Sequence, residues 1–238
     1  MNKPLTYHWA VPTQYYGVWR RSLLENTRGQ DTESLVLWMQ TRELHADIRI
    51  PPSRPDFSDY ACLEECAIED LMWLASQQGF YGVTHVNADI CQWQRQFDFQ
   101  PKNGSRDIGK VAFTSANEML ETGVDDAYLE VWQRVEGSHL KLSTHTMKSL
   151  NRIGESVPAF LLCAGQQVAY VRPRKEPLPE TASLLAAIQL YEPNHEKLLD
   201  WLDFEISFGQ MVDESHWQIR HSTHPFLEGK IREKGFYV

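Results

Sequence analysis

Three strand-like runs of the sequence set aromatic rings beside charges. In Cys91 to Phe99, period-two alternation puts Trp93, Arg95 and Phe97 on one face. In Tyr128 to Val135 it does the same for Tyr128, Glu130, Trp132 and Arg134, and in Leu44 to Ile50 Arg49 shares its face with Asp47 and His45. Flat apolar walls with a few charges are the make-up of a small-molecule pocket, where polar groups orient a ligand held mainly by apolar contact. Arg49, Trp93, Arg95, Tyr128, Glu130 and Trp132 are therefore the candidate ligand-binding residues. The matching ligand is apolar or amphipathic, with an acidic group for Arg49 or Arg95 to meet. Turned to solvent, the same faces would be ordinary strand surface, with Arg stems lying over Trp and Tyr. Trp19 and Trp132 read as core plugs in either case.

Other chemistry has weaker support. There is no Gly-x-Ser-x-Gly elbow, phosphate loop, His-Glu-x-x-His or dinucleotide fingerprint, which removes the simple arguments for an enzyme and for a cofactor. An isomerase or cyclase would have to draw its acid and base from Glu130, Glu205 and the histidines. His216, His221 and His224 form the only histidine cluster. On a strand over Trp217 to His221, His216 and His221 fall on opposite faces, which is poor for a shared metal, and no metal is expected. Cys62, Cys66, Cys91 and Cys163 show no zinc spacing and read as reduced thiols.

A net charge of −9 argues against nucleic acid, because a phosphate-binding surface needs clustered Lys and Arg. Only Arg172, Arg174 and Lys175 cluster, beside prolines that suggest a solvated loop. Met1 to Pro12 resembles neither a signal peptide nor a presequence, and no apolar run approaches the roughly 20 residues that span a bilayer, so a membrane is not an expected partner and the expected location is cytoplasmic. A protein partner or a homodimer stays open.

The elements that would position these side chains are mainly β. Strands are expected over Ser34 to Arg42, Leu44 to Ile50, Gly82 to Ala88, Cys91 to Phe99, Val111 to Ser115, Tyr128 to Val135, Leu140 to Thr146, Phe160 to Val171 (with a hairpin at Gly165 to Gln167), Phe204 to Val212 and Trp217 to His221. A helix is expected near 62–78, with Ser58 or Asp59 as N-cap and Gly79 as C-cap. A second is expected near 181–202, split by Pro193. The two halves share an order. Tyr15 to Arg21 matches Tyr128 to Arg134, Ala46 to Pro51 matches Ala169 to Pro173, proline-rich links (Pro51 to Pro55, Pro173 to Pro179) lead to the helices, and Trp93 matches Trp217. The halves are expected at 1–115 and 116–238, as related β-units of one compact antiparallel barrel structure, with two adjacent small barrels as the alternative.

Gly17-Val-Trp19 resembles the Gly-x-Trp opening of lipocalins and other calycin barrels, in which the Trp packs across the closed end and a basic side chain lies over it. Over nearly the whole chain the sequence resembles a family of duplicated calycin-like β-barrels of bacteria and fungi, whose fungal member is named for interacting with a casein-kinase-type kinase. The resemblance rests on Tyr16 to Arg21, His45 to Pro51, Asp203 to Gly209 and Trp217 to Gly229. It implies a calycin-like fold and brings no established activity or catalytic residues. Glu130 stands where the second half would need Gly, so a plug at Trp132 is less secure. The leading expectation is a small-molecule-binding barrel. The alternatives are a packed barrel acting through its surface as an interaction module, and an isomerase or cyclase on the same scaffold; a hollow or a packed interior separates them.

Overall fold

A computed structural model describes residues 11–234. The reading of Met1 to Ala10 lies outside the described residues. The protein is mainly β: a closed eight-strand antiparallel barrel, a six-stranded half-barrel sheet and three helices. The first sheet contains β1 (Gly17–Asn26), β2 (Gly29–Asp31), β3 (Leu35–Gln40), β4 (Leu44–Ile50), β5 (Gln78–Asn87), β6 (Ile90–Asp98), β7 (Ile108–Ser115), β8 (Glu118–Gly123) and β9 (Tyr128–Arg134). Neighbours pair in sequence order except at β2, a short flap on β1, and β9 returns to pair with β1, so the sheet has no long free edge. The half-barrel contains β10 (Ser143–Leu150), β11 (Ser156–Ala164), β12 (Gln167–Arg172), β13 (Glu205–Met211), β14 (His216–Ser222) and β15 (Ile231–Glu233), hydrogen-bonded in that order.

The lower barrel is packed solid. Tyr15, Trp19, Val36, Trp38, Phe80, Val86, Cys91, Trp93, Val111, Met119 and Trp132 form one interior cluster. A single 3₁₀ turn at Thr13–Tyr15 closes the end, and the Trp19 indole nitrogen donates to the Tyr15 carbonyl at 2.7 Å. The Arg134 guanidinium covers the Trp19 ring at 4.4 Å and donates to the carbonyls of Gln14, Tyr16 and Ala116. Gly17 sits at φ +119°, where a side chain is strained, and a Cβ there would meet the Ser138 hydroxyl oxygen at 2.7 Å. That hydroxyl accepts from the Val18 N–H and fastens the start of β1 to the segment leaving β9.

The second apolar core lies outside the barrel. Val18, Met39, Ala46, Ile48, Ile50 and Tyr81 on its outer face pack against Leu162, Ala164, Ala169, Val171, Ile206 and Phe208 of the half-barrel. The helices α1 (Ile68–Leu74), α2 (Leu184–Tyr191) and α3 (His195–Leu202) add Leu71, Leu74, Leu184, Ala187, Leu198, Leu199 and Leu202. Pro193 does break the second helical segment, and Ser183 and Asn194 cap the two pieces through their side chains. The segment expected to be one helix at 62–78 is instead a 3₁₀ turn at Leu63–Glu65 and then α1; Ala67, not Ser58 or Asp59, occupies the N-cap, and Gly79 lies inside β5. An extended Cys66 interrupts the helical stripe.

The half-to-half match of the Trp strands is also corrected. Tyr128 to Arg134 does not open a second unit: as β9 it is the antiparallel partner of β1, with Arg21 opposite Trp132, and β10 holds the place beside β11 that β1 holds beside β3. The break between sheets falls after β9, not at residue 115, and β10 begins three residues later than the expected Leu140. From β3 to β6 and from β11 to β14 the order strand, strand, link, helix, strand, strand does recur. Of the Arg172-Arg174-Lys175 run only Lys175 is solvated. Arg172 is buried, and Arg174 donates to the carbonyls of Asp98, Phe99 and Trp201, tying the link to the end of β6 and to α3.

Candidate functional site

Above the tryptophan layer the lumen opens into a cavity of about 1310 Å³. It is bounded by the barrel strands, the β6–β7 and β8–β9 loops and the Pro173 to Glu180 link. Five of the six candidate residues line it: Arg49, Trp93, Arg95, Tyr128 and Glu130. Trp132 lies one layer deeper, 6.1 Å from Trp38, which in turn meets Trp93 edge-on at 5.6 Å. The strand faces therefore point inward, as β9 alternation implies. Phe97 also borders the cavity, but not from that inward face. The pairing of β6 with β5 slips by one residue between Arg95 and Phe97, a bulge that sends Phe97 to the outer face against Tyr81 and Phe160.

The floor of the cavity is a layer of charges held in pairs. Arg21 reaches across from β1, donating through Nη1 to Glu130 at 2.7 Å and through Nη2 to Asp31 at 2.7 Å. Arg95 is held by Asp98 at 2.8 Å and Asp107 at 2.6 Å, and its guanidinium lies 3.9 Å from the Phe80 ring centre. Arg49 donates from Nε to Asp47 at 2.9 Å and also lies over Phe80. Its two terminal nitrogens have no hydrogen-bond partner among the described residues, and its side chain keeps 27% of its exposure. Arg49 is thus the floor cation with donors free for a ligand. Burial pushes the Asp47 carboxyl above the ordinary range, with the Arg49 charge working against it.

Glu121 was not foreseen and is the most perturbed acid of the layer. It stands opposite Glu130 across the β8–β9 ladder and accepts from the Tyr128 hydroxyl at 2.7 Å. Gly109 on β7 makes room for it, since a Cβ there would come within 2.9 Å of the Glu121 side chain. Burial first, and the Glu130 charge second, push its carboxyl well above the usual range, which favours the protonated form. Burial and Glu121 likewise push the Tyr128 phenol up. The sequence signal for Glu121 is thin: β8 is six residues, Glu-Met-Leu-Glu-Thr-Gly, with little β propensity.

Glu121→Gln keeps an acceptor for Tyr128 and removes the ionisable group. Because the folded state holds this proton above the unfolded value, wild-type stability is full below about pH 4 and falls as pH rises through the folded value. The Gln variant is expected to unfold at higher urea than wild type at pH 8, by about 1–3 kcal/mol, with the gap closing near pH 5. Equal stabilities at both pH values would place a charged, solvated carboxylate at this position.

The other acid–base candidates do not converge here. Glu205 lies in the half-barrel, paired with Arg232 at 2.6 Å, so Glu130 and Glu205 serve different cavities. His216 is exposed beside Asp213, and His224 is buried with Nε2 at 3.2 Å from the Leu202 carbonyl. Among the described residues, no group of three or more His, Cys, Asp and Glu is placed to hold a metal ion. All four cysteines are free thiols. No helix among the described residues is long and apolar enough to cross a membrane.

No protein-family model matches the chain, and no curated protein does. Among solved structures, the crystal structure of an uncharacterized protein from Bacteroides eggerthii DSM 20697 is similar over 51% of this chain and 99% of its own, with 11% identity and a TM-score of 0.32.

Proposed function

We propose that the barrel binds a small amphipathic molecule at its open end, with an acidic group on Arg49 and an apolar body against Trp93 and Tyr128. The observation that carries this reading is the pair of unbonded terminal nitrogens of Arg49, held to Asp47 through Nε alone, on the floor of a cavity of about 1310 Å³. A Glu121 carboxyl pushed towards its protonated form adds little repulsion to an acid at Arg49. The Trp19 plug under Arg134 supports a calycin-like barrel with one closed and one open end. Four free thiols are in keeping with a cytoplasmic setting.

The test is native mass spectrometry of freshly purified protein against its denatured mass, followed by affinity measurement on the compound found. Arg49→Gln, which can still hydrogen-bond Asp47, is expected to weaken binding about 10- to 100-fold through loss of a charge-assisted contact. Unchanged affinity in this variant would remove Arg49 from the site.

A second reading has one observation in its favour. Glu121 lines the lumen with its carboxyl pushed well above the ordinary range by burial, the tendency that suits a general acid acting on an enclosed ligand, as in an isomerase or cyclase. Glu121→Gln separates the two, because it spares binding and abolishes turnover of the identified ligand only if Glu121 transfers a proton.

A further inference from the structure

The half-barrel has an interior of its own. A cavity of about 380 Å³ lies on its concave face, spanned by β10 on one side and β15 on the other, the two strands that leave this sheet unclosed. Its apolar wall is Met147, Leu161, Tyr170 and Trp217, and its floor is a four-charge network of which all but Arg232 are buried. Arg172 Nη2 donates to Asp203 at 2.6 Å, and Arg232 Nη1 donates to Glu205 at 2.6 Å, with Arg172 Nε 3.9 Å from Glu205. Arg232 also covers the Tyr170 ring. Arg172 and Trp217 stand where the matched segments of the first barrel carry Arg49 and Trp93, so both interiors set an arginine and an indole on corresponding strands.

Two features point to a ligand and to its chemistry. Arg172 is 6% exposed, and its Nη1 is buried with no hydrogen-bond partner among the described residues, an unmet donor on a charged group. The floor charges cancel, whereas the rim places Lys148 and Lys234 against Glu233 alone. Arg152, at the far end of the cavity, is already engaged by Glu64, Glu196 and Asp200. The cavity therefore carries an excess of about one positive charge in a chain of net −9. One monoanion would cancel it and supply the acceptor that Arg172 lacks. The volume is at the small end for ligand sites, and an indole and a phenol ring in its wall suit a flat apolar body.

We propose that the concave face of the half-barrel is a second, independent binding site for a small flat monocarboxylate, such as an aryl or unsaturated acid, with its carboxylate on Arg172 and its body against Trp217 and Tyr170. The site stands apart from the first cavity, and no residue lines both.

The probe is 4-fluorocinnamate, followed by its ¹⁹F transverse relaxation as full-length protein is titrated, with the neutral 4-fluorocinnamamide as control. All titrations use Arg49→Gln protein, so that the acid contact of the first cavity is absent. Saturable binding is expected, with the amide at least about tenfold weaker. Met147→Trp, a rim substitution on an outer strand that fills the cavity without touching the ion pairs, is expected to weaken the acid at least about tenfold. Arg172→Met tests the donor directly, but it strands the buried Asp203 and lowers stability, so Met147→Trp and the amide carry the decision. No saturable binding of the acid up to about 10 mM overturns the proposal, as does equal affinity for acid and amide, or indifference to Met147→Trp. None of these results bears on the first cavity, whose reading stands or falls on Arg49.

Discussion

Replacing Arg21 with Met is expected to destabilise the protein by about 3–5 kcal/mol at pH 7, the range for stranding one partner of a buried ion pair. The Arg21 and Glu130 side chains are 6% and 7% exposed, and each meets the other at 2.7 Å. Without the guanidinium, Glu130 is left in the lumen directly across the ladder from Glu121, and two carboxyls at that separation cannot both ionise cheaply. Adding Glu130→Gln to the Arg21→Met protein removes the stranded charge and should recover most of the loss. Urea unfolding of the two single variants and the double variant gives the coupling energy. A cost below about 1 kcal/mol for Arg21→Met would mean that water reaches the pair and that the floor of the cavity is wetter than its burial implies. The same experiment bears on the site, since Arg21 and Glu130 line the cavity that Arg49 lines.

The second large effect is on acid stability and rests on His45. Its Nδ1 lies 2.9 Å from the Thr84 hydroxyl, which itself donates to the Gln40 side-chain oxygen at 2.6 Å, so Nδ1 carries the proton. Its Nε2 is buried without a partner among the described residues. Burial, with smaller contributions from Arg95 and His85, pulls the imidazole from 6.5 down to about 3. In the unfolded chain the ring takes a proton below about pH 6.5, while in the folded chain it does not until about pH 3. The unfolded state binds more protons across that window, so stability is full above it and is lost as pH falls, by about 4–5 kcal/mol in total. His45→Gln should unfold with a flatter pH dependence between pH 6.5 and 4 than wild type, whatever its stability at pH 7. The carboxylates titrate in both proteins, so their contribution drops out of the difference. Parallel curves would show that the ring is hydrated in the folded state.

How much of this was legible in the chain differs from element to element. β4 was read to the residue, because Leu44 to Ile50 alternates without a break and ends at proline. β8 was not read, because a Glu-Met-Leu-Glu-Thr-Gly run carries two acids, a glycine and no β-branched residue ahead of its threonine. The helix over 62–78 was overdrawn because an apolar stripe at helical spacing persists through a segment whose backbone is extended at Cys62, Cys66 and Ala67. Phe97 was placed on the wrong face because alternation counts residues, and a bulge adds one without any mark in composition. Tyr128 to Arg134 was taken for a copy of the opening strand on the strength of Trp and Arg at equal spacing; both segments do carry a plug-layer Trp into one lumen, as facing partners.

The sequence by itself determined which side chains share a face. Arg49 with Asp47 and His45, and Tyr128 with Glu130, Trp132 and Arg134, follow from a period of two that holds wherever the strand carries no bulge. Only the tertiary structure decided which face is the inside. On β4 the apolar face, Ala46, Ile48 and Ile50, lies outside the barrel beneath the half-barrel, and the polar face lines the lumen. A strand buried on both sides carries no local signal of which side closes into a barrel. That depends on where β9 meets β1, a contact between segments more than one hundred residues apart, and on a second sheet that covers what a lone barrel would have shown to water.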